Sequence, residues 1–84
     1  MNFEAGMIVK PNSGHRINKH FVLVKAEENF VYIADGKRKR LSNPKKKNIK
    51  HIVVTDKQTV DLNTQTDKSI RKLLNKYDLD SEDI

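Results

Sequence analysis

Between Lys37 and Lys50 the chain places eight basic residues and no acid in fourteen positions: Lys37, Arg38, Lys39, Arg40, Lys45, Lys46, Lys47 and Lys50. Arginine forks grip phosphate bidentately and lysine ammonium groups act as adaptable point charges, so this stretch is suited to binding a polyanion. Asn48 and His51 lie among these cations and can bond a phosphate, a 2′-hydroxyl or a base edge. Gathering so much like charge costs self-repulsion, which a polyanion relieves by exchanging its condensed counterions for the side chains. A solvated lysine-rich loop kept for solubility is the plainer account of the same run. Two turn signals weigh against it. Asp35-Gly36 suits the positive φ angles of a two-residue type I′ hairpin turn, and Asn43-Pro44 breaks the run a second time. Charges framed by turns are expected to be held in place.

Other chemistries find little support. The absence of cysteine removes disulfides, thiolate zinc sites and a cysteine nucleophile together. His15, His20 and His51 are the only imidazoles and form no helical His-x-x-x-His pair, so no metal site is expected. His51 itself reads either as a phosphate contact at the edge of the basic patch or as a structural strand residue. No Walker glycine loop, serine nucleophile elbow or convergent carboxylate pair appears, and turn geometry already accounts for Asp35. The expectation is a chain that is not an enzyme, has no catalytic residues and needs no cofactor.

The remainder of the sequence must position the cations. Its 84 residues leave room for one domain with a minimal core, and the formal charge is 0 over residues 1–36, +8 over 37–51 and −2 over 52–84. No apolar run approaches the roughly 20 residues of a membrane span, and Met1 to Gly6 lacks the basic and apolar regions of a signal peptide. A cytoplasmic protein, with no membrane partner and monomeric when free, is expected.

Gly6 to Lys10 reads as a strand ending at Pro11, followed by a polar loop that uses Gly14 for a positive φ angle or a close backbone approach. His20 to Ala26 reads as a central strand, with Phe21 and Leu23 on one face and Val22 and Val24 on the other. After a turn at Glu27-Glu28-Asn29, Phe30 to Ala34 reads as the next strand. Pairing across Asp35-Gly36 then sets Ile33 opposite Arg38, Tyr32 opposite Lys39, Val31 opposite Arg40 and Phe30 opposite Leu41. Phe30, Tyr32, Lys39 and Leu41 are assigned to the core side of that hairpin, with Lys39 at the rim, while Arg38 and Arg40 project outward. A loop at Lys45-Lys46-Lys47-Asn48 leads to a last strand from Ile49 to Thr55. The fold class is therefore mainly β: a small five-stranded antiparallel barrel over about 6–55, with a linker over 56–65.

A helix is expected over about 66–77, capped by Thr66, because Ile70, Leu73, Leu74 and Tyr77 recur at helical spacing. So short a helix is marginal alone, so its stripe must lie on the barrel, with Val31, Ile33, Ile52 or Val54 as candidate receivers. The acidic tail, 78–84, is expected to fray. Phe21, Phe30 and Tyr77 are assigned to packing, so recognition of a nucleic acid's shape and backbone is expected rather than the stacking of unpaired bases.

Gly6-Met7-Ile8-Val9, the Gly14 loop, Phe21-Val22-Leu23-Val24, Tyr32-Ile33-Ala34-Asp35-Gly36-Lys37 and Pro44 through Ile52 together resemble the KOW-domain RNA-binding proteins of bacteria. Those are similar in turn to the eukaryotic and archaeal large-subunit ribosomal proteins fourteen, six and twenty-seven. The resemblance covers residues 6 to about 55. It implies an SH3-like barrel whose loops and basic strand lie on RNA, most plausibly ribosomal RNA or the ribosome. It also implies contacts from Gly14, Lys37, Lys45, Lys46, Lys47, Lys50 and His51. The chain departs from the family pattern after Gly14, where an arginine, an aspartate, a variable residue and a second glycine usually follow. Here His15-Arg16-Ile17-Asn18 stands instead, so His15 and Arg16 are the loop's candidate contacts and Arg16 supplies the charge one place late. The competing expectation is a protein-binding adaptor of the transcription or translation machinery, using the barrel edge or the C-terminal helix.

Overall fold

Runs rich in β-branched residues fold into β1 (Ile8–Pro11), β2 (Phe21–Ala26) and β3 (Phe30–Ala34), the lysine run Lys45–Asn48 supplies β4, and Ile52–Asp56 forms β5. These elements come from a computed structural model that describes residues 3–12, 14, 17–56 and 58–82, the stretch 79–82 as backbone only. All pairings are antiparallel, in one sheet of order β4-β3-β2-β1-β5. The chain is thus mainly β, with a single C-terminal helix, α1 (Asp67–Glu82).

β4 and β5 stand at opposite ends of the strand order, yet a single 3-10 turn, Ile49–His51, joins them. Four strand spacings laid flat span about 19 Å. The chain from Asn48 to Ile52 reaches at most about 14 Å even when fully extended. The sheet must therefore curl, and Met7, Val9, Phe21, Leu23, Val31, Ile33 and Ile52 fill its concave side. No ladder joins β4 to β5, so the sheet is open rather than the closed barrel the sequence suggests.

The convex side is covered over β1 and β2. Ile8, Val22 and Ala34 bury there against Ile70 and Leu74 of α1, with Val60, Leu62, Leu73 and Tyr77 at the margins. Thr66 caps the helix in a reciprocal box: its Oγ1 accepts from the Ser69 amide at 3.1 Å, and Ser69 Oγ accepts from the Thr66 amide at 2.8 Å. The helix does not stop at Tyr77 as its apolar stripe implies, and the stretch expected to fray is helical as far as Glu82. Asp78 explains part of this: its Oδ1 accepts the His20 backbone amide at 2.7 Å and lies 2.9 Å from His20 Nδ1, which ties the helix to the start of β2. Residues 83 and 84 of that tail lie outside the described residues. The linker is also tied down, through a 3-10 turn at Leu62–Thr64 and the packing of Val60 and Leu62.

The faces of β3 are the reverse of those expected. Ile33 lies opposite Leu23 and must share its face, so Val31 and Ile33, both 0 % exposed, point into the concave cluster. Phe30 and Tyr32 are half-buried on the convex side and belong to neither cluster. For the same reason α1 does not dock on Val31, Ile33, Ile52 or Val54, which line or adjoin the concave cluster.

A bulge in β2 shapes the convex side. The register of β2 on β3 shifts between Leu23 and Lys25, so Tyr32 faces Lys25 while Val24 turns to the helix side. Strict alternation from Phe21 and Leu23 would aim Lys25 into the apolar interior, and the bulge avoids that cost. No helix among the described residues is long and apolar enough to cross a membrane.

Candidate nucleic-acid interface

Asp35 and Gly36 do not form the expected two-residue turn. Only Gly36 has a positive φ, +78°, and Asp35 does not, whereas a type I′ turn needs both. Residues 37–41 form no strand; the strand paired with β3 is β4, with Ile33 opposite Lys45, Tyr32 opposite Lys46, Val31 opposite Lys47 and Phe30 opposite Asn48. Between the two strands runs a wide loop, 35–44, with its own framework.

Asp35, 5 % exposed, folds this loop around its carboxylate, whose Oδ1 accepts the amides of Lys37 at 2.8 Å and Lys39 at 3.0 Å. The amides of Asp35 and Gly36 both donate to the Lys39 carbonyl, at 2.8 and 3.1 Å. Gly36 lies against the first turn of α1, where an added Cβ would collide with the Asp67 carbonyl oxygen. Asp67 completes the clamp: its Oδ1 accepts the Leu41 amide at 2.8 Å, while the Leu41 side chain packs on the convex cluster. Lys37, Arg38 and Arg40 are exposed on this loop, and Lys39 is half-buried. Arg38 and Arg40 therefore project from a clamped loop instead of from a hairpin face.

Lys45, Lys46 and Lys47 follow along β4, a free edge of the sheet. A strand this rich in lysine suits such an edge, because its charge deters strand addition by another chain. Neighbouring side chains on a strand face opposite ways, so Lys46 shares the convex face with Phe30 and Tyr32, and Lys45 and Lys47 share the other with Ile33 and Val31. Lys46 Nζ stands 4.2 Å from the centre of the Phe30 ring, and Lys25 Nζ stands 5.8 Å from that of Tyr32. The Tyr32 phenol is held above its ordinary pKa by its hydrogen bond to Glu27, reinforced by desolvation and by the Glu27 charge.

Past β4 the chain enters the Ile49–His51 turn. Asn48 caps it, its Oδ1 accepting the Lys50 amide at 2.9 Å, so only its NH₂ donors are free of that bond. Lys50 and His51 are exposed. Asn12, at the mouth of the β1–β2 loop, donates its side-chain amide to the Lys50 carbonyl at 2.6 Å and its backbone amide to the His51 carbonyl at 3.0 Å. The turn is thereby fastened to the loop that holds Gly14, which has φ +96° and open space around it, so a positive φ is its requirement and close approach is not. His15 and Arg16 lie outside the described residues.

The eight cations thus follow one another along one edge of the sheet, a basic stripe only in that sense: a clamped loop at one end of β4, the strand itself with Lys46 on the convex face and Lys45 and Lys47 on the other, and the 3-10 turn at the other end beside the Gly14 loop. Among the described residues no lysine or arginine pairs with a carboxylate; the one such contact of a basic side chain is His20 Nδ1 with Asp78 Oδ1 at 2.9 Å. No group of three potential metal ligands converges among them either. Lys25, Phe30 and Tyr32 adjoin the stripe, although sequence reasoning omits the first and places the rings in the core. The sequence signal was Lys25 itself, in phase with Phe21 and Leu23, where only a bulge keeps an ammonium out of the core. No protein-family model matches the chain, and no curated protein is significantly similar to it.

Proposed function

We propose that the chain is a cytoplasmic, non-enzymatic RNA-binding module of the KOW type. Its stripe of cations lies along the phosphate backbone, and ribosomal RNA of the large subunit is the preferred target. The observation that carries this reading is the set of eight cations from Lys37 to Lys50, gathered on a clamped loop, an edge strand and a capped turn without a single described carboxylate partner. Such an array keeps its electrostatic free energy for an external polyanion, because no internal pair has used it. Resemblance of the Asp35-Gly36-Lys37 and Pro44 through Ile52 segments to KOW proteins supports RNA as that polyanion and the large subunit as its source.

The test is a salt titration of binding to a fragment of large-subunit ribosomal RNA. If about six cations contact phosphates, affinity falls roughly a thousandfold between 50 and 200 mM salt. Changing Lys45, Lys46 and Lys47 together to alanine lowers the affinity and flattens the slope by close to three phosphate contacts. Binding indifferent to salt, or unchanged in the triple variant, overturns the reading. In cells, crosslinking followed by sequencing of the attached RNA gives one clustered footprint in large-subunit RNA. Partners that survive ribonuclease treatment would instead support a protein adaptor.

A further inference from the structure

The convex face of β3 beside the basic segment holds two half-buried aromatic rings that helix α1 does not cover. Phe30 and Tyr32 are two positions apart on one strand, so they share a face and stand about 7 Å apart along it. Helix α1 covers Ile8, Val22 and Ala34 on that side, and neither ring belongs to its cluster. Each ring has a lysine beside it: Lys46 from β4 at 4.2 Å from Phe30, and Lys25 from the β2 bulge at 5.8 Å from Tyr32. Glu27, whose proximity to the Tyr32 hydroxyl raises that phenol's pKa, is the acid at the margin.

We propose that this face is a stacking platform for two successive unpaired nucleotides of RNA, one base on Phe30 and the next on Tyr32, with Lys46 and Lys25 taking the flanking phosphates. The proposal rests on the RNA-binding reading above and names the form of RNA it selects. A base can stack on a side chain only when its face is free, which a duplex does not allow, and an aromatic ring accepts any base because every base presents a π-face. The lysines suit the exchange. An exposed cation–π contact is weak, so each ammonium can leave its ring for a phosphate when a base arrives. Spacing supports two nucleotides rather than one, because the ring separation along the strand is comparable to the reach of one nucleotide in an extended single strand. Phosphate contacts along the stripe supply affinity; the platform adds a preference for loops, bulges and ends.

The experiment compares a fluorescently labelled single-stranded RNA of about ten nucleotides with the same strand annealed to its complement, at one salt concentration. Single-stranded RNA is expected to bind at least about tenfold more tightly. A Phe30→Leu, Tyr32→Leu double variant keeps apolar volume but removes both π-faces. It should lose at least about tenfold for the single strand, while its duplex affinity and salt slope stay as in the parent. Exchanging the rings, Phe30→Tyr with Tyr32→Phe, should retain single-strand binding and shows that the face tolerates substitution; thermal melts of both variants verify folding. Equal affinity for the two RNA forms, or a leucine variant that binds single strands like the parent, overturns the platform and leaves the RNA-binding reading standing. Failure of both RNA forms to bind with any dependence on salt overturns both.

Discussion

At Asp35 a single carboxylate oxygen accepts two backbone amides, and around that bond the exposed side chains of Lys37, Arg38 and Arg40 are set. Losing it leaves two amides of a partly buried turn without their charged acceptor, a cost of about 1–3 kcal/mol. In a domain of this size each 1 kcal/mol corresponds to a fall of about 4–8 °C in melting temperature. Asp35→Ala also removes a negative charge next to the basic stripe, so charge alone predicts tighter RNA binding. A positioned loop predicts the opposite, because the cations must then be ordered at the moment of binding. The expected outcome is a lower melting temperature and weaker binding, read by calorimetry and by anisotropy well below the new melting point. Tighter binding would mean that the loop acts only as a cloud of charge. Sequence marked Asp35 and Gly36 as a turn, but as the two-residue turn of a hairpin, where the structure has the start of a wide loop. Their geometry was not legible, because Asp-Gly suits several turns and the deciding contact, the backbone of Asp67 against Gly36, comes from a residue 31 positions away.

Among the elements, those with an apolar signature were legible and the one without it was not. β2 and β3 fall where β-branched and aromatic residues alternate, and α1 begins where Thr66 caps it. β4 reads Lys-Lys-Lys-Asn; as an edge strand it needs a backbone ladder to β3 rather than a buried side-chain row, and composition carries no record of that ladder. The bulge at Leu23–Lys25 left one trace in the sequence, Lys25 in phase with Phe21 and Leu23, while the placing of Phe30 and Tyr32 on the convex face left none. Contacts between elements yield a prediction at this scale. Tyr77 of α1 donates its hydroxyl to Asp56 Oδ2 of β5 at 2.7 Å, and the Gln58 amide donates to Oδ1 at 2.9 Å. Those two donors, the Gln58 amide first, hold the Asp56 carboxyl below its ordinary pKa. A carboxyl whose folded pKa is depressed stabilises the fold in full above its unfolded value, about 3.9, and loses that contribution as pH falls through the folded value. The urea midpoint of the parent should therefore fall between about pH 6 and pH 3 more steeply than that of Asp56→Asn, which keeps an acceptor but does not titrate. Parallel curves for the two proteins would remove this link between α1 and β5.

Over the whole molecule, one unbalanced field acts on both stability and binding, with opposite signs. The net charge is +6, and the stripe contributes +8 against a nearly neutral remainder, so the folded state confines like charges that the unfolded chain can spread apart. Screening relieves that confinement, since the Debye length shrinks from about 10 Å at 0.1 M to about 3 Å at 1 M salt. The same screening removes the counterion-release gain that drives RNA binding. Raising salt should therefore raise the melting temperature of the free protein while it weakens the complex. Adding RNA at low salt should raise the melting temperature further, in proportion to the logarithm of its excess over the dissociation constant. The two effects are separable in one calorimetric series run with and without RNA. The free and bound melting curves should converge as salt increases, the free one moving up and the bound one down. If salt lowers the melting temperature of the free protein, internal ion pairs contribute more than the repulsion within the stripe, and the electrostatic free energy assigned to an external polyanion is being used inside the fold.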